Sequence, residues 1–274
     1  MAAKRIFEAT RTQPGVEAHF ITTSPPPVSH PDPLITYYPP KHQRLNAKAD
    51  SIALRLQKSV NPAHRSIGAL HSGLANHIRQ GSWDLVHLHW VGLGTLSIKE
   101  IGQISRDIPT LWTLHDSWPF CGAEHHPHFE NDERFAHGYS RFSRPEMDSY
   151  IDIDQFVFRR KLGHWRSPIF LVAPTHFMAN QARKSTIAGT WPITTIPHPI
   201  DPETFTPQDS DEKASFRSSV GLNPSAPTVL FASSPGSDFN KGLDLLAKVM
   251  TRLHDRIPGI QLVTIGGPWS SLPN

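Results

Sequence analysis

The sequence predicts an α/β protein with a parallel sheet, and three observations support this. Short apolar runs of strand character alternate with stretches of helical spacing along the whole chain. The clearest run, Thr110 to Leu114, ends abruptly in His115-Asp116 and an aromatic, Pro- and Gly-containing loop. A buried parallel strand that delivers polar side chains to a crevice at its carboxyl end has this pattern. A Pro-rich stretch at 197–207 interrupts the alternation, and a fresh strand–helix–strand pattern follows it. The expected division is therefore a doubly wound α/β domain over 1–196, a linker at 197–207 and the beginning of a second α/β domain over 208–274.

The elements follow in order. Lys4 to Thr12 has the character of a helix end, and Gly15 to Ile21 that of a short strand after a Pro-Gly turn. Residues 24–41 are Pro-rich and predict an irregular surface loop. Leu45, Ala49, Ile52, Leu56 and Val60 fall on one face of a helix, and Ile67, Leu70, Leu74 and Ile78 on one face of the next. Leu85–Trp90 predicts a strand, Leu96–Ile104 a helix and Thr110–Leu114 a strand. Residues 117–145 predict a long polar and aromatic loop, of a length that is usually functional or mobile. Ile153–Trp165 predicts a basic helix, with Arg159, Arg160, Lys161 and Arg166 as a solvated end. Ile169–Ala173 is a strand, Thr175 a helix cap and Ile193–Ile196 a further strand. Beyond the linker come a helix (Glu212–Val220), a strand (Thr228–Ala232), a helix (Leu243–Leu253) and a strand (Ile260–Ile265).

Composition narrows the function classes. With 38% hydrophobic and 19% charged residues, the 274-residue chain can bury a core. Its net charge of +3 lacks the dense basic stripe of a nucleic-acid binder, so no nucleic-acid partner is expected. A mild basic excess suits an anionic small molecule or an anionic membrane surface. One cysteine, Cys121, rules out an internal disulfide and points to a reducing, cytoplasmic setting. No apolar run is long enough to span a bilayer, and no signal core follows the first residues.

Several residues are candidates for chemistry. His115 and Asp116 sit where a strand should end, and an imidazole there can orient a hydroxyl or move a proton. Alternation along Leu85–Trp90 puts His87 and His89 on one face, which brings His89 toward the same crevice. His125, His126 and His128 lack metal-site spacing, so no metal is expected; an exposed loop able to touch a ligand is the simpler expectation. Lys241 and Gly242 precede a helix start, where an ammonium and free backbone N–H groups can converge on phosphate. Ser234 and Gly236 follow one strand and could add donors there, and Gly267 follows another, where glycine permits close approach of a ligand. Each of these also has a plain reading, as a cap, a turn or a solvated side chain.

The segments Leu85–Trp90, Thr113–Gly122, Phe158–Trp165, Ala173–Ser185 and Ile196–Pro207 together resemble the family 4 glycosyltransferases of GT-B fold, in the colanic-acid and exopolysaccharide branch. The resemblance implies two Rossmann-like domains facing across a cleft. It implies transfer of a sugar from a nucleotide-sugar donor to a glycan or lipid-linked acceptor, with retention of configuration and without a metal ion. It also implies a cytoplasmic enzyme, possible peripheral contact with the inner membrane included. His115 matches the histidine near the transferred sugar, with Asp116 setting that histidine's hydrogen bonding; Trp118 shares their loop. Lys241 matches the lysine that contacts the donor diphosphate. His89, Trp118 and His125 are placed on the acceptor side, and Gly242, Ser234, Gly236 and Gly267 on the donor side. The chain departs from the family in having a single cysteine after Trp-Pro-Phe and no Arg shortly before Lys241. The family's first strand and glycine loop, and the two glutamates of its donor motif, have no counterpart here. A second reading is therefore a catalytically inactive remnant that acts at most as a binding module, and poor stability is expected of it.

Overall fold

The computed structural model describes residues 2–23, 32–38, 45, 48, 51–52, 55–59, 61–127, 132–233 and 241–266. The protein is mixed α/β with parallel sheets. It divides into two compact units, Met1–Pro199 and Ile200–Asn274.

Unit 1 contains helices α1 (Ala2–Arg11), α2 (Leu74–Arg79), α3 (Ile98–Asp107), α4 (Arg134–His137), α5 (Ile153–His164) and α6 (His176–Lys184). Its strands are β1 (Phe20–Thr22), β2 (Ile35–Tyr37), β3 (Gln57–Lys58), β4 (Val86–Leu88), β5 (Thr110–Thr113), β6 (Ser149–Tyr150), β7 (Phe170–Ala173) and β8 (Ile193–Thr195). The central sheet is parallel, in the order β4-β5-β7-β8. β1 and β2 form a separate parallel pair, and β3 and β6 a short antiparallel one. Unit 2 holds α7 (Ser210–Ser219), β9 (Thr228–Ala232), α8 (Leu243–Arg256) and β10 (Gln261–Ile265), with β9 and β10 paired in parallel. Leu230, Leu245 and Ile265 of this unit are exposed. No described helix is long and apolar enough to cross a membrane.

Helix α3 shows how local rules build the core. Ile98, Ile101 and Ile104 recur at helical spacing and are all fully buried. Ser97 caps the helix and Glu100 completes a capping box by accepting from the Ser97 backbone N–H (2.9 Å). The same buried carboxylate accepts from Ser72 N–H (3.0 Å), Ser72 Oγ (3.0 Å) and Gly73 N–H (2.8 Å). Burial works against its charge, but these donors hold its pKa below the ordinary value. Glu100 thus ties the start of α2 to the start of α3. The helix stops at Ile108, which is extended because Pro109 follows it.

Three expectations are corrected. The helix expected from Ile67 shrinks to Leu74–Arg79: residues 66–72 are not helical, and Gly68 and Gly73 both take positive φ. The helix expected along Leu45, Ala49, Ile52, Leu56 and Val60 is present at residues 45, 48, 51, 52 and 55 but stops short of Leu56, where the chain turns into β3 at Gln57; Ala49 and Val60 lie outside the described residues. The segment from 117 is not a polar surface loop. Trp118, Phe120, Cys121, Ala123, Phe135 and Tyr139 are core residues.

Lys161 explains that burial. It was expected at a solvated helix end, yet it is fully buried. Its ammonium donates to the carbonyls of Trp118, Cys121 (3.1 Å) and Gly122 (2.6 Å), at the end of the 3-10 turn Trp118–Phe120. It also lies 3.9 Å from the Trp118 ring centroid and 5.5 Å from that of Trp165. Burial pulls its pKa down to about 7, against the nearby acidic groups. Trp112, Trp118 and Trp165 pack edge-to-face around it, with centroids 5.6–6.2 Å apart.

Replacing Lys161 with Met keeps the apolar stem and removes the ammonium. The carbonyls of Cys121 and Gly122 then lose this donor, at roughly 1–3 kcal/mol each, while that of Trp118 keeps the Cys121 N–H (3.4 Å). Lys161→Met is expected to lower the unfolding free energy by about 3–5 kcal/mol, read from the midpoint of urea denaturation followed by circular dichroism. A midpoint equal to that of the parent would show that Lys161 does not hold the turn.

Candidate functional site

The parallel register of β4 and β5 pairs Val86 with Thr110 and Leu88 with Trp112. Side chains within and just after the two strands continue this pairing. His87 Nε2 and Thr113 Oγ1 are hydrogen-bonded at 2.8 Å, and His89 Nδ1 and His115 Nε2 at 2.9 Å. Trp90 Nε1 donates to Asp116 Oδ2 (2.8 Å). Each partner lies 26 residues further along the chain, so one register error would break all three bonds at once. A third strand end adds to the group: His198, just after β8, stacks on His115 with centroids 5.1 Å apart and an interplanar angle of 17°. His87 and His89 lie 4.3 Å apart. Four imidazoles therefore gather at the carboxyl side of the sheet.

Asp116 does not set the hydrogen bonding of His115, as the sequence suggested. Its Oδ2 accepts from Trp90 and from His125 Nδ1 (2.5 Å), and its Oδ1 accepts from the Trp118 backbone N–H (3.0 Å). His125 is buried rather than exposed, and its Nε2 accepts from Ser66 Oγ (2.9 Å). An ionised Asp116 fixes the proton of His125 on Nδ1, which makes Nε2 an acceptor. This order of Ser, His and Asp matches a hydrolytic triad in its atoms but not in its setting. Ser66 is buried, and its backbone N–H is bonded to the Ala123 carbonyl (2.9 Å), so the nucleophile lacks both access and its own oxyanion donor. The relay instead anchors the 117–125 loop against 64–66, where His125 N–H also bonds the His64 carbonyl (2.8 Å).

Burial sets the charge state of the cluster. It drives the pKa of His87 down to about 4, with His115 adding to the shift. Burial and the neighbouring imidazoles take His89 to about 3. His115 is lowered by burial and by His198, while Asp116 works the other way. For Asp116, burial favours the neutral acid, but the His125 bond prevails and its pKa falls below the usual carboxylate range. At neutral pH His87, His89 and His115 therefore present neutral rings beside one fixed negative charge. His115 Nε2 is engaged by His89, which leaves Nδ1 as its ring atom for a ligand.

The structure brings His89, His115, Asp116, Trp118 and His125 together around one small hollow, also lined by Trp90. The hollow has a volume of about 10 Å³, room for about one water. Any organic ligand must lie over it rather than in it. Trp118 is a core residue whose indole N–H donates to the Ser66 carbonyl (2.8 Å), so it supports the hollow from beneath. The Cys121 thiol is pushed well up in pKa, chiefly by burial, and is no nucleophile. Among the described residues no cluster of His, Cys, Asp and Glu is arranged to hold a metal ion.

No protein-family model matches the chain, and no curated protein does either. On unit 2, Lys241 is exposed immediately before α8, and Gly242 caps that helix at φ +69°, a left-handed conformation suited to glycine. Ser234, Gly236 and Gly267 lie outside the described residues. Gly266 has a role within the chain itself: a Cβ there would sit 1.6 Å from the Ser233 carbonyl oxygen. Sequence reasoning missed Ser66 altogether, and nothing local marks it.

The depressed histidines make stability acid-sensitive. In the unfolded chain His87 and His89 titrate near 6.5, while in the folded chain they stay neutral until about 4 and about 3. The unfolded state therefore binds more protons below pH 6.5, and stability is lost as pH falls from there. Allowing for partial exposure, the two together should cost about 2–4 kcal/mol between pH 7 and pH 5. Urea denaturation at both pH values, compared with His87→Gln/His89→Gln, checks this: the double variant should lose distinctly less stability on acidification.

Proposed function

We propose that the chain is a glycosyltransferase of the GT-B type, family 4, that moves a sugar from a nucleotide-sugar to a glycan or lipid-linked acceptor with retention of configuration. The observation that carries this reading is the convergence of His89, His115 and His198 at the carboxyl ends of three parallel strands, where α/β proteins collect their ligands. The sequence resemblance supplies the reaction. His115 orients a sugar or acceptor hydroxyl through Nδ1, with His89 holding its Nε2. Lys241, exposed at the start of α8, meets the charge of the departing diphosphate. Asp116 acts at one remove, by fixing His125 and Trp90 under the hollow. The chemistry asks for positioning and charge stabilisation more than for a strong base, which suits rings that are neutral at pH 7.

The exposed Leu230, Leu245 and Ile265 of unit 2 favour a second reading, a binding module without turnover. Calorimetry with UDP-, GDP- and ADP-sugars, followed by product analysis with glycan acceptors, separates the two. Donor binding with turnover supports the enzyme, donor binding alone selects the module, and failure of every nucleotide-sugar to bind overturns the transferase reading. Lys241→Ala should weaken donor binding at least tenfold. His115→Ala should leave donor affinity within about threefold and lower kcat by about a hundredfold or more.

A further inference from the structure

Trp90 lines the hollow just after β4, and several contacts fix its indole in place. Its Nε1 donates to Oδ2 of the buried Asp116 (2.8 Å). Its ring centroid lies 5.9 Å from that of His125. Gly92 packs so closely that a Cβ there would sit 2.6 Å from Trp90 Cζ2, and any larger residue would displace the indole. Backbone bonds close the turn that follows: Thr95 N–H donates to the Gly92 carbonyl (3.2 Å) and Leu96 N–H to the Val91 carbonyl (3.4 Å). Within that turn Leu93 takes φ +52°, a costly conformation for a bulky residue. Despite these contacts Trp90 remains 43% exposed. A large aromatic ring is thus held rigid and left open at the sheet edge where α/β proteins gather their ligands.

The surroundings restrict what such a ring can hold. His89, His115, Asp116 and Trp118 line the hollow with it, and among the described residues no Lys or Arg does. Asp116 is negative while His89 and His115 are neutral at pH 7, so this edge does not attract phosphate or carboxylate. A space of about 10 Å³ admits one oxygen atom of a ligand but no ring. The matching ligand is ring-shaped, uncharged and hydroxylated, and a pyranose has these properties. The C–H bonds on one of its faces carry partial positive charge, which the electron-rich face of an indole attracts. Its hydroxyls point outward from the ring, so one can enter the hollow that His115 lines. A nucleobase would also stack on an indole, but its nucleotide brings phosphate to an edge without a cation.

We infer that Trp90 is the platform for a neutral pyranose of the acceptor, with one sugar hydroxyl seated in the hollow, and that the site discriminates against sugar acids. The assignment to the acceptor rests on the transferase reading; the stacking itself needs no turnover. A uronic acid on the same ring would bring its carboxylate toward Asp116 with no cation to offset either charge. It is rejected by repulsion rather than by shape. Trp90 is thereby a specificity-determining residue with a part separate from that of His115, which orients a hydroxyl.

The test is saturation-transfer NMR of the full chain titrated with methyl glycosides of glucose, galactose and mannose and with the corresponding uronic acid glycosides. The expected result is binding of at least one neutral glycoside, with saturation strongest on the C–H protons of one ring face. Its uronic acid counterpart should bind at least tenfold more weakly. Trp90→Phe keeps a ring and loses the bond to Asp116, whereas Trp90→Gln keeps an amide donor and loses the ring. Glycoside affinity should stay within about threefold in the first and fall at least tenfold in the second. Equal losses, or the opposite ranking, would assign Trp90 to the Asp116 bond alone and overturn the inference. Saturation spread evenly over both ring faces of a glycoside bound to the parent protein would overturn it too, even where Trp90→Gln folds poorly. Absence of all glycoside binding to the parent would overturn it while leaving the nucleotide-sugar result intact. Glycoside stacking on Trp90 without nucleotide-sugar binding would instead remove the transferase reading alone.

Discussion

The buried ammonium of Lys161 is the contact on which the rest of unit 1 depends. A charge in a core is tolerated only where donors and acceptors are matched, and here the carbonyls of Trp118, Cys121 and Gly122 meet it. That match fixes the backbone just after Asp116. The Trp118 backbone N–H then bonds Asp116, Asp116 bonds His125, and His125 bonds Ser66. The floor of the hollow is thus a chain of polar bonds that starts from a lysine on α5. A related balance operates next door. Burial and the nearby Asp154 carboxylate push the pKa of Glu124 well up, and Tyr139 donates to it. Asp154, although buried, is kept ionised by its hydrogen bonds and by Arg65. The polar interior works because its charges are paired or neutralised.

The strand ends follow a different logic. Parallel pairing of β4 and β5 carries whatever follows each strand to the same edge, so the Leu-His-Trp of one and the Leu-His-Asp of the other meet by register alone. The cluster needs no long-range coincidence beyond that pairing and the return of the chain after β8. Desolvation at this edge keeps the rings neutral, which suits hydrogen bonding to an uncharged hydroxyl better than attraction of an anion.

Much of the parallel sheet was legible because strands 86–88, 110–113, 170–173 and 193–195 are short apolar runs closed by polar or Pro-containing stops. The meeting of His89 with His115 followed from alternation. What stayed hidden were polar residues whose partners are distant in sequence. Lys161 reads as one more basic residue in an Arg-Arg-Lys run, and only the fold reveals three carbonyls waiting for it. His125 reads as one of a polar triplet, yet its partners are 9 and 59 residues away. The helix expected from Ile67 failed for a local reason, because Gly68 and Gly73 take positive φ within its span and the helix starts only at Leu74.

The tryptophan cluster has a consequence for optical work on this protein. Three of its seven tryptophans, at 112, 118 and 165, stand within 5.6–6.2 Å of one another and cross at 60–71°. Indoles so close and so strongly inclined couple their electronic transitions into a single chiral chromophore. Its near-ultraviolet dichroic band belongs to unit 1 alone, and so reports the packing of that unit's interior independently of unit 2.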